Sequence, residues 1–119
     1  MKHYLFLLTL LGSAGLAAQS YTSYFSGNET DAQTQPQGGV CMMGGATEHD
    51  NAMRWFLQRA DGGDVLVLRA SGADGYNSYL YSELGETVNS VETIVFNNAS
   101  AATEPYVQQA IQQAEAIWL

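Results

Sequence analysis

A single cysteine, Cys41, in 119 residues excludes an internal disulfide, so stability has to come from a packed core rather than covalent staples. Positive charge is also scarce. Four Lys and Arg stand against twelve Asp and Glu, a formal net charge of −8, and beyond Lys2 only Arg54, Arg59 and Arg69 remain. Three arginines spread over a helix and a strand build no basic patch, which argues against nucleic acid or an anionic membrane surface as partner. Past the first few residues there is one histidine, His49, too few for a metal site with His or Cys at ligand spacing. Proline occurs twice, and neither internal repeats nor low-complexity tracts interrupt the chain. The longest apolar run, from Tyr4 to Leu11, is too short to span a bilayer.

That run has a different use. Lys2 and His3 form a short polar head before it, and Gly12, Ser13, Ala14, Gly15, Leu16, Ala17 and Ala18 follow with small residues suited to signal peptidase. Residues 1–18 therefore read as a secretory signal. They predict an exported protein, periplasmic or extracellular, with no membrane association after the signal is removed. Residues 19–38 are mostly Ser, Thr, Gln, Asn and Gly, with Tyr21, Tyr24 and Phe25 as the large apolar groups. They are expected to form a polar flexible arm, or one that hugs a sheet edge, outside the core. Asn28-Glu29-Thr30 and Asn98-Ala99-Ser100 match the three-residue glycosylation pattern, a weak signal in isolation.

From residue 39 to 119 apolar segments alternate regularly. Val40 to Met43, closed by Gly44-Gly45, reads as a buried strand. Thr47 is the expected cap of a helix in which Met53, Phe56, Leu57 and Ala60 share one face. Val65-Leu66-Val67-Leu68 is apolar at every position, as a strand covered on both sides requires. A turn-rich loop from Ser71 to Gly75 leads into a short helix, Tyr76 to Leu84, and Val91 to Phe96 is a third strand. Thr103 is expected to cap a last helix, tolerant of Pro105 in its first turn, with Val107, Ala110, Ile111 and Ala114 on one face. Ala116-Ile117-Trp118-Leu119 opens a fourth strand. The order predicts an α/β fold: a parallel sheet of about four strands, helices on both faces, right-handed crossovers. Ending on Trp118 and Leu119, it reads as the first half of a larger domain.

Open parallel sheets gather ligands at the carboxyl ends of their strands. Gly44, Gly45, Glu48, Ser71 and Asp74 are therefore the candidate wall of a pocket. No catalytic residue is assigned. Ser71 has Arg69 and Ala73 where a nucleophile elbow needs glycines, and Gly12-Ser13-Ala14-Gly15 falls in the signal. Cys41 has a strand context and reads as a core thiol. A triad of Ser71, His49 and Asp50 fails on geometry, because neighbours on a helix do not point together. Gly44-Gly45 lacks the third glycine of a dinucleotide fingerprint, so no cofactor and no metal is expected.

Met42-Met43-Gly44-Gly45-Ala46-Thr47-Glu48, a helix bearing Trp55-Phe56, and Gly63-Asp64-Val65-Leu66-Val67-Leu68-Arg69-Ala70-Ser71-Gly72 together resemble the opening of cyanophycinase-like proteins. These stand with aspartyl dipeptidase (peptidase E) among serine hydrolases of the class I glutamine-amidotransferase-like, flavodoxin-like fold. Ala114 to Leu119 looks like the strand that runs, in that family, into a Gly-Gly-Asp/Asn-Gln turn. The resemblance covers residues 39–119. It implies an N-terminal part of an exported serine-type peptidase acting on a peptide or small-molecule substrate. The family's Gly-Thr-Ser-Ala-Gly-type elbow, its histidine and its acidic partner do not occur here, so the chain alone is expected to be inactive. The rival readings are a non-catalytic exported module that binds a small ligand at the rim, and a half-domain completed by association, a homo-oligomer included.

Overall fold

The computed structural model describes residues 18–119. The secretory-signal reading falls almost wholly on residues 1–17, outside that range. The elements are β1 (Tyr21–Gly27), α1 (Asp50–Arg59), β2 (Asp64–Arg69), a π-helical turn (Tyr79–Glu83), β3 (Ser90–Phe96), a 3₁₀ turn (Ala99–Thr103), α2 (Pro105–Gln113) and β4 (Ala116–Trp118). The four strands form one sheet in the order β1-β3-β2-β4. β2 runs parallel to both β3 and β4, as expected of strands joined by helical crossovers. β1 is antiparallel to β3, so the sheet is mixed and the expectation of a wholly parallel one is corrected.

Alternation along the strands feeds two cores. Val65, Val67 and Val91 face α1 and the π-helical turn, where Met53, Phe56, Leu57, Ala60, Leu80 and Leu84 are buried with them. Leu66 and Ile94 face α2 and pack on Val107, with Ala110 and Ala114 beside them. Each fully buried aliphatic side chain contributes about 1.5–3 kcal/mol relative to exposure, so the first cluster carries most of the hydrophobic stabilisation. A helix on each face of the sheet is what the unbroken apolar run of β2 requires.

Two sequence expectations are resolved here. Of the two forms expected of the arm at residues 19–38, the one that hugs the sheet edge is found: the segment contains β1, an edge strand that pairs along its whole length from Tyr21↔Phe96 to Gly27↔Ser90. Its residues are polar on average, yet Tyr, Thr and Phe suit a pleated, half-buried edge. Gly27, at φ 107°, ends the strand where a Cβ would stand 2.6 Å from the Asn89 carbonyl, so only glycine fits. Further on, Ala32 N–H donates to Asp64 and Gln37 N–H donates to Arg59 O, which tie the following segment down.

Val40 to Met43 is not a strand. Val40 and Met42 are 81% and 89% exposed, while Cys41 and Met43 turn inward onto the first core. This run lies along α1 instead, where Gly39 touches the Trp55 ring and Cys41 Sγ approaches Ala52 O at 3.9 Å. The helix caps also move. His49 rather than Thr47 caps α1, its Nδ1 accepting from Ala52 N–H at 3.4 Å. Glu104 rather than Thr103 precedes α2, and the Thr103 hydroxyl donates to Ser100 O instead.

Candidate functional site

Because β2 and β4 run parallel and in register, Val67↔Trp118 among them, their carboxyl ends emerge together. Two cavities of about 280 Å³ each open at this rim. They share Leu68, Arg69, Ala70 and Leu119; one is completed by Ser71, Tyr76 and Trp118, the other by Phe96. The charged residue in both linings is Arg69, and the cavity completed by Phe96 is the more apolar of the two.

Arg69 is held by shape. Its guanidinium lies 5.3 Å from the centre of the Tyr76 ring and wraps the loop at Gly72, where a Cβ would come within 3.0 Å of Cζ. Gly72 also has φ 93°, a conformation that side chains rarely adopt. The Tyr76 hydroxyl donates to Glu48 Oε1, which joins the loop before α1 to the rim. That hydrogen bond, aided by burial, pushes the Tyr76 phenol above its ordinary range. The other described arginines are engaged elsewhere. Arg54 donates to Leu84 O and Asn51 Oδ1, and Arg59 stacks on Trp55 and donates to Gln37. The Arg69 side chain makes no hydrogen bond or ion pair among the described residues, and it lines both cavities. Replacing Gly72 with alanine is expected to cost about 1–2 kcal/mol through the positive φ and to push the guanidinium off Tyr76. Thermal unfolding reads the first effect, and the Arg69 Nε–H resonance reads the second.

The predicted pocket wall is partly assembled. Ser71 lines the rim and Glu48 reaches it through Tyr76. Gly44 and Gly45 lie in the exposed turn before α1 and line neither cavity. Asp74 is exposed, with its backbone carbonyl accepting from Asn77 N–H at 2.8 Å. No hydrogen bond joins Ser71 to His49 or Asp50 among the described residues. His49 is spent on its cap, and Asp50 Oδ1 accepts from the Tyr79 hydroxyl at 2.8 Å. The described residues contain no group of three or more His, Cys, Asp or Glu arranged to hold a metal ion, and none of their helices is long and apolar enough to cross a membrane. Arg69 and Ser71 thus line the same cavity, and among the described residues no histidine or carboxylate is hydrogen-bonded to Ser71.

No family model matches this chain, and neither does a curated protein or a solved structure.

Arg69, Tyr76 and Trp118 are the rim residues that sequence reasoning passed over. The signal was present: a cation placed directly after four apolar strand residues sits at the strand's carboxyl end, and the aromatic opening the next helical segment stands next to it.

Two other phenols report on the fold. Burial first and a hydrogen bond to Asp50 second push Tyr79 up to about 12, and burial with a hydrogen bond to Glu92 does the same for Tyr106. Both values exceed the ordinary 10, so at high pH the unfolded chain holds fewer protons than the folded one. The stability they supply is complete below pH 10 and is lost as pH rises toward 12. Alkaline unfolding in that window, followed by circular dichroism alongside phenolate absorbance, is the expected result; Tyr79→Phe with Tyr106→Phe flattens it.

Proposed function

We propose that this chain supplies the scaffold and one pocket wall of an exported serine-type amide hydrolase resembling the cyanophycinase and aspartyl dipeptidase family, with a class I glutamine-amidotransferase-like sheet as its finer fold. The observation that carries the reading is Arg69. It is a guanidinium without a carboxylate partner at the carboxyl end of β2, in a cavity it shares with Ser71, Tyr76 and Trp118. A guanidinium fork pairs with a carboxylate through two parallel hydrogen bonds, so the ligand class is an acidic peptide or small carboxylate. This answers the charge problem posed by the acidic composition, since one local cation serves where the surface as a whole repels. In the reaction implied, a serine attacks the amide carbonyl while a histidine takes its proton and backbone N–H groups hold the oxyanion. Those catalytic groups are not among these residues, and removing a nucleophile costs several orders of magnitude in rate. The chain by itself therefore binds without turnover.

Two measurements test this. The coding sequence beyond codon 119 is expected to continue into a Gly-x-Ser-x-Gly elbow, and the product is expected to be labelled by a fluorophosphonate at that serine. A stop codon at that point, or no labelled serine, overturns the hydrolase reading. The engagement of His49 and Asp50 away from Ser71 favours a second reading, a non-catalytic exported module for small carboxylates. That reading survives a stop codon and shares the Arg69 contact.

A further inference from the structure

β1 is an edge of the sheet, and among the described residues no strand lies beyond it. The register decides which backbone groups its outer side carries. Asn97 N–H donates to Ser20 O at 2.8 Å and Asn28 N–H donates to Asn89 O at 3.0 Å, so both ends of the β1–β3 ladder close on even-numbered residues of the first segment. Hydrogen-bonded and non-hydrogen-bonded residues alternate in an antiparallel pair. Thr22, Tyr24 and Ser26 therefore direct their backbone groups at β3, and those of Tyr21, Ser23 and Phe25 point outward. Ser23 and Phe25 are exposed. Edge strands are ordinarily guarded by charge, proline, a bulge or brevity. β1 has seven residues, none of them charged and none a proline, and it pairs with β3 one to one without a bulge. β4, at the opposite edge, has three residues.

We infer that β1 is a self-association edge: a second copy of this chain pairs antiparallel with it about a two-fold axis at Ser23 and joins the two sheets into one. The strand is complementary to itself in that register. Tyr21, Ser23 and Phe25 share the α2 face, where Tyr21 stacks on Tyr106, Ser23 Oγ donates to Glu92, and Phe25 lines a cavity with Tyr106. About the axis, Tyr21 of each copy stands opposite Phe25 of the other, with the two Ser23 residues meeting between these aromatic pairs. Each facing pair exchanges both backbone bonds and adds a cross-strand side-chain contact. Phe25, 41% exposed, and Tyr106, 45% exposed, lie along the seam and gain cover. Charge decides the occupant. At −8 two copies repel over most of their surface, and an uncharged strand is where they can meet. Glu29 and Asp31 follow the strand and fall beyond the paired residues. A two-fold pairing also closes on itself, whereas β1 joined to β4 of the next copy would grow without end. The edge shares no residue with the rim at Arg69 and stands independently of the hydrolase reading.

Sedimentation of the full chain over a range of concentrations is the test. One strand edge buries less surface than a permanent dimer does, so pairing is expected to be reversible, with a mass of twice 12.9 kDa at about 1 mM and of one chain at about 10 μM. Amide hydrogen exchange locates the contact without any variant. Tyr21, Ser23 and Phe25 are expected to exchange at least about tenfold more slowly at the upper concentration, while Thr22 and Tyr24 are protected equally at both. Phe25→Pro removes an outward N–H and sets its ring in the path of the second copy while breaking no bond to β3. It is expected to stay a single chain with an unchanged circular dichroism spectrum. A one-chain mass throughout, particles larger than two chains, exchange at Tyr21, Ser23 and Phe25 that ignores concentration, or a Phe25→Pro chain that pairs as the parent does overturns the inference.

Discussion

Asp64→Ala is expected to lower the unfolding free energy by about 3 kcal/mol, a large loss for a single polar side chain. Asp64 opens β2, and its carboxylate is the knot at the amino-terminal end of the sheet. Oδ1 accepts from Asn89 Nδ2 at 2.7 Å and from Ser90 Oγ at 2.5 Å, while Oδ2 accepts from Ala32 N–H at 2.8 Å. Those donors belong to the start of β3 and to the segment that follows β1. Alanine removes three charge-assisted hydrogen bonds and leaves the buried Ser90 hydroxyl without its acceptor. Partial solvent access at Asp64 reduces the sum of the three to the figure given. Domains of this size have about 5–15 kcal/mol in total, so a fall in the midpoint of thermal unfolding by about 15 °C follows. Asp64→Asn retains an acceptor for at least one donor and is expected to lose about half as much. Near-identical midpoints for Asp64→Ala and the parent chain would show that β1 and its tail are not tied in this way.

Leu80→Ala is expected to cost a similar amount, about 3 kcal/mol, by a different mechanism and with a consequence at the rim. Leu80 sits in the π-helical turn, is fully buried, and packs in the same cluster as Met53, Leu57, Val67 and Val91. Truncation leaves a cavity that the sheet cannot collapse to fill. The turn it anchors follows directly on Tyr76, whose ring carries the Arg69 guanidinium, and on Asn77. The Asn77 side chain bridges β1 and β3 by donating to Tyr24 O and Ser26 Oγ and accepting from Thr93 Oγ1. Loosening the turn therefore reaches the rim through neighbouring residues. Leu80→Met conserves volume and is expected to cost under about 1.5 kcal/mol, with the rim intact. Urea unfolding gives the energies, and the Arg69 Nε–H shift reports whether Tyr76 has moved.

The central strands, α1, α2 and the helix-on-each-face layering were legible because burial on both sides forces an unbroken apolar run, and β2 has one. β1 was not, because an edge strand needs only half its surface apolar and its polar Ser and Thr positions read as an arm. Val40 to Met43 deceived for the converse reason. Four apolar residues in a row suit a strand, but here Cys41 and Met43 pack on the first core while Val40 and Met42 stay exposed. The caps slipped by one or two residues because Thr47, Glu48, His49 and Asp50 all suit a helix start, and the choice among them depends on how the loop meets Tyr76. At the candidate site, strand order pointed to the rim where two cavities open and to Ser71, which lines one of them. Net charge concealed Arg69, since a composition of −8 says nothing about where one cation stands.

A carboxylate meeting Arg69 at the end of β2 is the contact on which the hydrolase and the binding-module readings both depend. Titrating the isotope-labelled chain with N-acetyl-aspartyl-N-methylamide, and with its asparaginyl counterpart as the neutral control, tests this at the atom concerned. A saturable shift of Arg69 Nε–H with the aspartyl compound alone, weakened about tenfold or more in binding by Arg69→Ala, is the predicted result. An Arg69 resonance that stays in place while the ligand binds, or an Arg69→Ala chain that binds it equally well, would contradict that contact and both readings with it.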